Sequence, residues 1–274
     1  AKTQVFMSSK KHWDHHHLHL YSHVDCPLCR EVKQRRHFAK PIEEDRTHLA
    51  TQIFEKTDID TIVMGGNTPG LFGEVNGLVA RDEFCGFVIV VGDKRKHAMS
   101  LQHGLRQHFS TELDSVKSRG FTIYGDSAPE YNKVCKKLRI IYRAATPNCK
   151  EANSRHERFM GVFGDLIRIV LFQSGLPVVF WVLAANFAAN LYNMTVTPYK
   201  KSKTPYEVRY PNRKLPKNIL YFGQLVTYVP KTIEKHTSRS RRGIFVWYCQ
   251  HPGGILTDDF LVVVPLSCFP LVLT

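Results

Sequence analysis

The sequence predicts an α/β chain built on a mixed sheet, and three observations carry that reading. Short runs rich in β-branched residues are stopped by Gly- and Pro-containing turns. Between and after them lie segments whose apolar residues recur every three to four positions. A last block of short strands follows a Lys/Arg-rich, Pro-containing connection.

Asp58–Met64 reads as the first strand, stopped by Gly65-Gly66-Asn67-Thr68-Pro69-Gly70. Asn76–Ala80 is the second, and Arg81–Gly86 turns it back into a third, Phe87–Val91. His97–Phe109 has helical spacing. Thr122-Ile123-Tyr124 is an uncharged fourth strand, released at Gly125 and ended by Asp126. Glu130–Leu138 is a short helix and Ile140–Ala145 a fifth strand, closed by Thr146-Pro147. From Asn153 to Gln173 a stripe of Phe159, Val162, Phe163, Leu166, Ile167 and Val170 predicts a long helix. Gly175 suits its C′ position, and Pro177 the first turn of a following helix that carries Phe180, Trp181, Phe187 and Leu191. From Ile219 short strands dominate: Tyr221–Gly223, Leu225–Val229, Gly243–Tyr248 and Phe260–Val264, with turns at His251–Gly254 and Thr257–Asp259. Three strands, a helix, a strand, a helix, a strand and then long helices is the order of the ribonuclease-H-like fold, a mixed five-stranded sheet with flanking helices. The expected division is residues 1–40, a His/Cys-rich segment; 50–212, the α/β core; and 213–274, a small β-rich module whose apolar end suggests a piece of a longer polypeptide.

With 43% hydrophobic and 23% charged residues in 274, a packed core is expected and wholesale disorder is not. The net charge is +14 and is unevenly placed. Between Lys200 and Arg242 there are twelve Lys/Arg and two acids, so ten of the net fourteen charges lie there. That concentration favours a polyanionic partner, nucleic acid, and no amphipathic basic helix argues for a membrane surface. Seven cysteines and no apolar run after Ala1-Lys2-Thr3-Gln4 lead us to expect free thiols in a reducing compartment. Ile167–Leu191 is apolar enough to suggest a membrane span, but Gln173–Pro177 interrupts it and Asn186 and Asn190 sit in its far half, so two helices joined by a turn explain it better.

Two clusters could carry chemistry. His12, His15, His16, His17, His19 and His23 precede Cys26-Pro27-Leu28-Cys29, a C-x2-C pair with the geometry of a zinc knuckle. His12 and His16, or His15 and His19, would complete the set; the alternative is a His-rich leader beside an incidental pair. The second cluster is acidic. Asp60 lies on the first strand, Asp126 ends the fourth, and Glu157 opens the long helix, the three acidic positions of a ribonuclease-H-like site. Phosphoryl transfer there uses two Mg²⁺ ions about 3.5–4 Å apart, which take hard carboxylate oxygens and keep several waters. Asp58, two residues from Asp60, shares its strand face. Glu130 and Asp82 read as structural, and Glu151 lies upstream of the helix.

Six blocks resemble, in order, the integrase of copia-type LTR retrotransposons, over roughly residues 12–264. Cys26-x2-Cys29 with Lys33-Gln34-Arg35-Arg36 resembles the end of its HHCC module. Asp126-Ser-Ala-Pro-Glu130-Tyr131 resembles D-N-G-G-E-[FY], and Thr146-Pro147 with Asn153 and His156-Glu157-Arg158 resembles T-P-x-x-x-x-N-G-x-x-E-R. Ser174-Gly-Leu-Pro177 with Phe180-Trp181, Lys203-Thr-Pro-Tyr-Glu207 and Gly243-Ile-Phe-Val-x-Tyr248 resemble A-G-L-P-x-x-[FY]-W, K-T-P-Y-E and G-x-F-[LV]-G-Y. The departures are Ser127-Ala128-Pro129 after the aspartate, Ser154 for a glycine, Trp247 for another, a compressed HHCC spacing and a shorter path from Asp126 to Glu157. The resemblance implies a Mg²⁺- (or Mn²⁺-) dependent DDE-type polynucleotidyl transferase with Asp60, Asp126 and Glu157 as ligands; Asp60 is preferred to Asp58 because Ile62-Val63-Met64 and Gly65 follow it as in the family. It implies a GAG-pre-integrase-like segment over 1–40 with possible Zn²⁺, element and target DNA as partners, a homo-oligomer and a nuclear site of action. Lys200, Lys201, Lys203, Arg239, Arg241 and Arg242 are the expected phosphate contacts. The other expectation is a decayed or domesticated remnant that binds nucleic acid without cutting it.

Overall fold

In the computed structural model the strand with paired aspartates, β1 (Lys56–Val63), is the centre of a five-stranded sheet. The structure describes residues 5–6, 12–13, 26–32, 50–64, 68–94, 98–114, 120–144, 150–195, 203–215, 219–229, 239–265 and 270–273. A two-residue ladder, Val5–Phe6 with His12–Trp13, and a short helix α1 (Pro27–Val32) precede the core.

β1 pairs antiparallel with β2 (Asn76–Asp82), which pairs antiparallel with β3 (Val88–Asp93). On its other side β1 pairs parallel with β4 (Thr122–Gly125), and β4 parallel with β5 (Ile141–Ala144). The order β3-β2-β1-β4-β5, with only the second strand reversed, is the ribonuclease-H-like sheet. Between β3 and β4 comes α2 (Ala98–Phe109), and between β4 and β5 comes α3 (Pro129–Leu138). After β5 the chain forms α4 (Lys150–Ser174) and α5 (Trp181–Asn193).

Period-two alternation divides the sheet between two cores. Ile59, Ala80, Phe87 and Ile89 pack with Leu101, Leu105 and Phe109 of α2 and Val134 and Leu138 of α3. Val79, Val88 and Val90, on the opposite face, pack with Phe159, Phe163 and Leu166 of α4 and Leu183, Phe187 and Leu191 of α5. The cross-strand partner of Asp60 is Val79, so Asp58 and Asp60 face α4. Gly175, at φ +66°, stops α4 as the C′ reading expects, and no described helix is long and apolar enough to cross a membrane.

The second sheet is antiparallel, β9-β8-β7-β6, from β6 (Leu225–Tyr228), β7 (Arg241–His251), β8 (Ile255–Pro265) and β9 (Pro270–Leu273). It does not stand apart from the α/β core. Phe245, Tyr248, Leu261 and Val263 belong to the same buried cluster as α5, with the Phe187 ring 6.0 Å from Phe245 and stacked on Tyr248. Two sequence expectations change. Tyr221-Phe222-Gly223 is a turn, with Phe222 driven into the α5 core. Thr257–Asp259, expected as a turn, is strand: β8 runs through it with a register shift between Leu256 and Phe260.

The Lys203–Glu207 block has a local reason. Thr204 is the N-cap of α6 (Pro205–Arg209), its hydroxyl accepting from the Glu207 amide at 3.2 Å while the Glu207 carboxylate accepts from the Thr204 amide at 3.0 Å. Pro205 sits at the first helical position, where no amide partner is lost. Tyr206 and Arg209 are buried, and the Arg209 guanidinium lies 4.6 Å over Phe54 and 4.5 Å over Phe87 while donating to the His108 carbonyl. His108 itself is fully buried. Burial, reinforced by the Arg209 charge, holds its imidazole well below the ordinary value, so it stays neutral in the fold.

Strand β3 is an edge of the sheet, and one side chain caps its first residue. The Asn193 carboxamide accepts from the Val88 amide at 2.8 Å and donates to the Val88 carbonyl at 2.6 Å, as a paired strand residue would. Asn193→Ala leaves both buried groups unmatched and is expected to cost about 2–4 kcal/mol, read as a lower urea midpoint with unchanged slope. For His108, the unfolded chain takes a proton below about pH 6.5 that the folded chain refuses. Stability therefore falls with pH below that point, by up to about 1.4 kcal/mol per unit from this residue. Unfolding at pH 5, 6 and 7 should show a shallower loss in His108→Gln than in wild type.

Candidate active site

Register sets the acidic pair. The parallel pairing of β1 with β4 joins Lys56 to Thr122, Thr57 to Ile123 and Asp58 to Tyr124. The same offset continued for two residues puts Asp60 level with Asp126, the first residue beyond β4. The strands close tightly just before that point. A Cβ on Gly125 would lie 2.8 Å from the Ile59 Cγ1 and 3.1 Å from the Ile59 carbonyl oxygen, so glycine is needed there for contact, its φ being ordinary.

Two tyrosines brace the end of these strands. The Tyr142 hydroxyl, on β5, donates to the Asp126 carbonyl. The Tyr131 hydroxyl, on α3, is hydrogen-bonded to the Thr61 hydroxyl at 2.5 Å, and the two rings meet edge to face at 6.0 Å. Burial pushes the Tyr131 phenol up to about 12, against the pull of the Thr61 bond, and the charges of Asp60, Asp126 and Glu130 add to the rise. One phenol thus feels both aspartates. Asp60 also accepts from the Thr61 amide at 2.6 Å and is one-third exposed, whereas Asp126 is exposed.

The helix opposite presents a histidine. His156 lies one turn before Phe159 on the buried stripe of α4; its Nδ1 is 3.8 Å from Asp58 Oδ2 and its Nε2 is 3.6 Å from Asp60 Oδ2. Both ring nitrogens are buried and neither makes a hydrogen bond. Phe159, which holds this turn against the sheet, stacks on Phe163 at 5.5 Å and carries the Arg81 guanidinium 4.6 Å above it. Glu157 is turned about 100° further round the helix and is exposed.

The register of β1 and β4 therefore sets Asp60 level with Asp126, and His156 of α4 lies beside Asp58 and Asp60. Among the described residues no three His, Cys, Asp or Glu side chains are gathered into a metal-holding group. The two aspartates supply the hard oxygens that Mg²⁺ takes, and Mg²⁺ is commonly held by one or two carboxylates with waters and substrate phosphate. Glu157 does not join them here as a third. Asp58 and His156 were not among the expected ligands. Their signals were legible: Asp58 shares a face with Asp60, and His156 falls at the 3- and 7-residue spacing of Phe159 and Phe163.

Of the other expectations, Cys26 and Cys29 are both buried, Cys29 on α1 and Cys26 just before it. His12 is described only as strand backbone, and His16 lies outside the described residues. Lys203, Arg239, Arg241 and Arg242 are exposed, the last two opposite Tyr228 and Thr227 where β7 pairs with β6; Lys200 and Lys201 lie outside the described residues. Asp82 is structural as read. It is fully buried and accepts from the Phe54 and Cys85 amides at 2.6 and 2.7 Å.

No protein-family profile matches the chain, and no curated protein does. Solved structures resemble it. A chain of the simian T-cell lymphotropic virus intasome, in complex with PP2A regulatory subunit B56 gamma, is 18% identical over 90% of this chain and 84% of that one, with a TM-score of 0.45. The HTLV-2 integrase catalytic core domain in complex with magnesium, in its trimeric form, is 17% identical over 57% of this chain and 97% of that one, with a TM-score of 0.41. The BIV integrase catalytic core domain is 16% identical over 57% and 93%, with a TM-score of 0.39. These are likenesses of fold, and the fold assignment rests on the strand order above.

The Thr61–Tyr131 bridge gives a test of the bracing. Thr61→Val and Tyr131→Phe each strand one hydroxyl and should cost about 1–2 kcal/mol. The double variant should cost less than the two together, a coupling read from urea unfolding.

Proposed function

We propose that the chain is a retrotransposon integrase of the copia type, a polynucleotidyl transferase that trims element cDNA ends and joins them to target DNA. The observation that carries this reading is the level placement of Asp60 and Asp126 on adjacent parallel strands of a ribonuclease-H-like sheet, with the long helix against them. The ordered sequence blocks and the basic Lys200–Arg242 stretch support it.

A divalent ion held by Asp60 and Asp126 would supply the charge that activates the attacking oxygen, first of water and then of a DNA 3′-hydroxyl. The chain's own part is positional. β1 and β4 hold the aspartates on rigid backbone, Tyr142 pins the Asp126 carbonyl, and the Thr61 amide fixes the Asp60 carboxylate. Lys200, Lys201, Lys203, Arg239, Arg241 and Arg242 take DNA phosphates, which position the duplex without reading its sequence. Joining two DNA ends in concert calls for a homo-oligomer, and the target calls for action in the nucleus. A zinc ion on Cys26 and Cys29 with two histidines belongs to the same reading.

The second reading is a DNA-binding remnant that no longer joins strands. It is favoured by the exposed Glu157, which leaves the acidic set short of its expected third member, and by Ser127-Ala128-Pro129. A labelled duplex carrying the element's terminal sequence, with Mg²⁺ or Mn²⁺ and a target plasmid, separates the two. Wild type should join strands, and Asp126→Asn should lose at least about 1,000-fold in rate, the scale of removing a principal source of charge stabilisation, while binding DNA as before. Wild type as silent as the variant, with both still binding, leaves the remnant. In either reading Arg241→Ala with Arg242→Ala should flatten the log–log salt dependence of DNA binding by up to about 1.8.

A further inference from the structure

On the reading that β1 and β4 carry the acidic site, we propose that the open face of β4 and β5 beside it seats a DNA strand, with Arg143 on a backbone phosphate and Tyr124 stacked on a base. Register makes the row. Asp58 pairs with Tyr124, and Tyr124 with Arg143, so the three lie side by side across β1, β4 and β5. Their face follows from alternation. Ile123 is buried in the α2–α3 core and the Tyr142 ring meets Tyr131 of α3, so Tyr124 and Arg143 stand on the other face, the one that carries Asp58 and Asp60. Two strand spacings put the Arg143 backbone about 10 Å from that of Asp58, with Tyr124 between them.

This part of the face is open. Val79, Val88 and Val90 of β2 and β3 are covered by α4 and α5, whereas Ile141 and Arg143 are exposed and Tyr124 is half-buried. The charge around it is nearly all of one sign. From Pro129 to Ala144 there are five cations, Lys133, Lys136, Lys137, Arg139 and Arg143, and one acid, Glu130. All five are exposed, and none is in an ion pair among the described residues. The lysines fall three and four apart on the side of α3 away from its buried Tyr131, Val134 and Leu138, so the positive field runs from Arg143 round the β5 edge onto α3. A polyanion is the partner such a field draws. An acidic peptide would meet the charge alone, whereas an aromatic plane beside an arginine offers a base stack and a phosphate contact together. None of these residues belongs to the Lys200–Arg242 stretch, and it is register that sets Tyr124 and Arg143 beside the aspartates.

Photo-cross-linking of the full chain to DNA carrying iododeoxyuridine, with the adduct located by mass spectrometry, tests the seat without any variant. The adduct is expected on Tyr124. In fluorescence-anisotropy titrations over a range of salt, Arg143→Gln should flatten the log–log slope by about 0.7–0.9, the share of one phosphate contact, and Arg143→Lys should restore it. Tyr124→Val should weaken binding at least about fivefold with the slope unchanged, and Tyr124→Phe, which keeps the ring, should recover it. Circular dichroism checks each fold. Adducts confined to the Lys200–Arg242 stretch, or a slope that Arg143→Gln leaves unmoved, overturn the proposal. So does polyglutamate whose binding falls in Arg143→Gln while that of DNA does not. Strand joining that survives in Arg143→Gln at the wild-type KM refutes the seat and keeps the function. A Tyr124 adduct and a shifted slope in a chain that joins nothing keep the seat and lose the enzyme.

Discussion

Every distance at the acidic site descends from the way β1 is held on both sides. Antiparallel bonds to β2 fix which face each of its residues shows, and parallel bonds to β4 fix how far along it each neighbour lies. A slip of one residue in either ladder would turn Asp58 and Asp60 into the α2–α3 core and bring Thr57 and Ile59 to the α4 face. The burial of Ile59 among Leu105, Phe109 and Val134 forbids that slip. The apolar residues that alternate with the aspartates are therefore what places them. Gly125 adds the last constraint, because any side chain there would push β4 away from Ile59.

Much of this was legible in the residues. The five strands and four of the helices could be read from β-branched runs, apolar stripes and punctuation by glycine and proline, and their order named the fold. The strand places of Asp60 and Asp126 could be read because a strand position and a strand end are local properties. What was lost lay in relations between elements. Which side chain of α4 meets the sheet depends on helix rotation, settled by Phe159, Phe163 and Leu166 entering the core, and a shift of one residue exchanges Glu157 for His156. The same holds for the end of the chain: alternation shows that Phe245 and Tyr248 are buried, not that Phe187 buries them. Thr257-Asp258-Asp259 carries turn chemistry, and pairing with β7 overrides it by absorbing the polar residues in a register shift.

The basic region looks different once placed. Its sequence reads as one charged stretch, yet it contains a helix cap and a buried cation. Thr204 and Glu207 satisfy each other's amides, and Arg209 is stacked between aromatic rings. Among the described residues of this stretch, the charge that faces solvent is carried by Lys203, Arg213, Lys214, Arg239 and the two arginines that open β7. Net charge thus overstates the basic surface open to solvent, because the buried Arg209 serves the packing of the α/β core.

The carboxamide that caps the start of β3 also has a meaning in time. Asn193 lies 105 residues after Val88. A ribosome adding about 5–20 residues each second exposes β3 long before it delivers α5. For that interval of about 5–20 s the outer strand offers open amides and carbonyls to any neighbour. Polysomes carrying many copies of this nascent chain hold such edges close together, so the order of synthesis, more than the finished fold, is where this protein is exposed to mispairing.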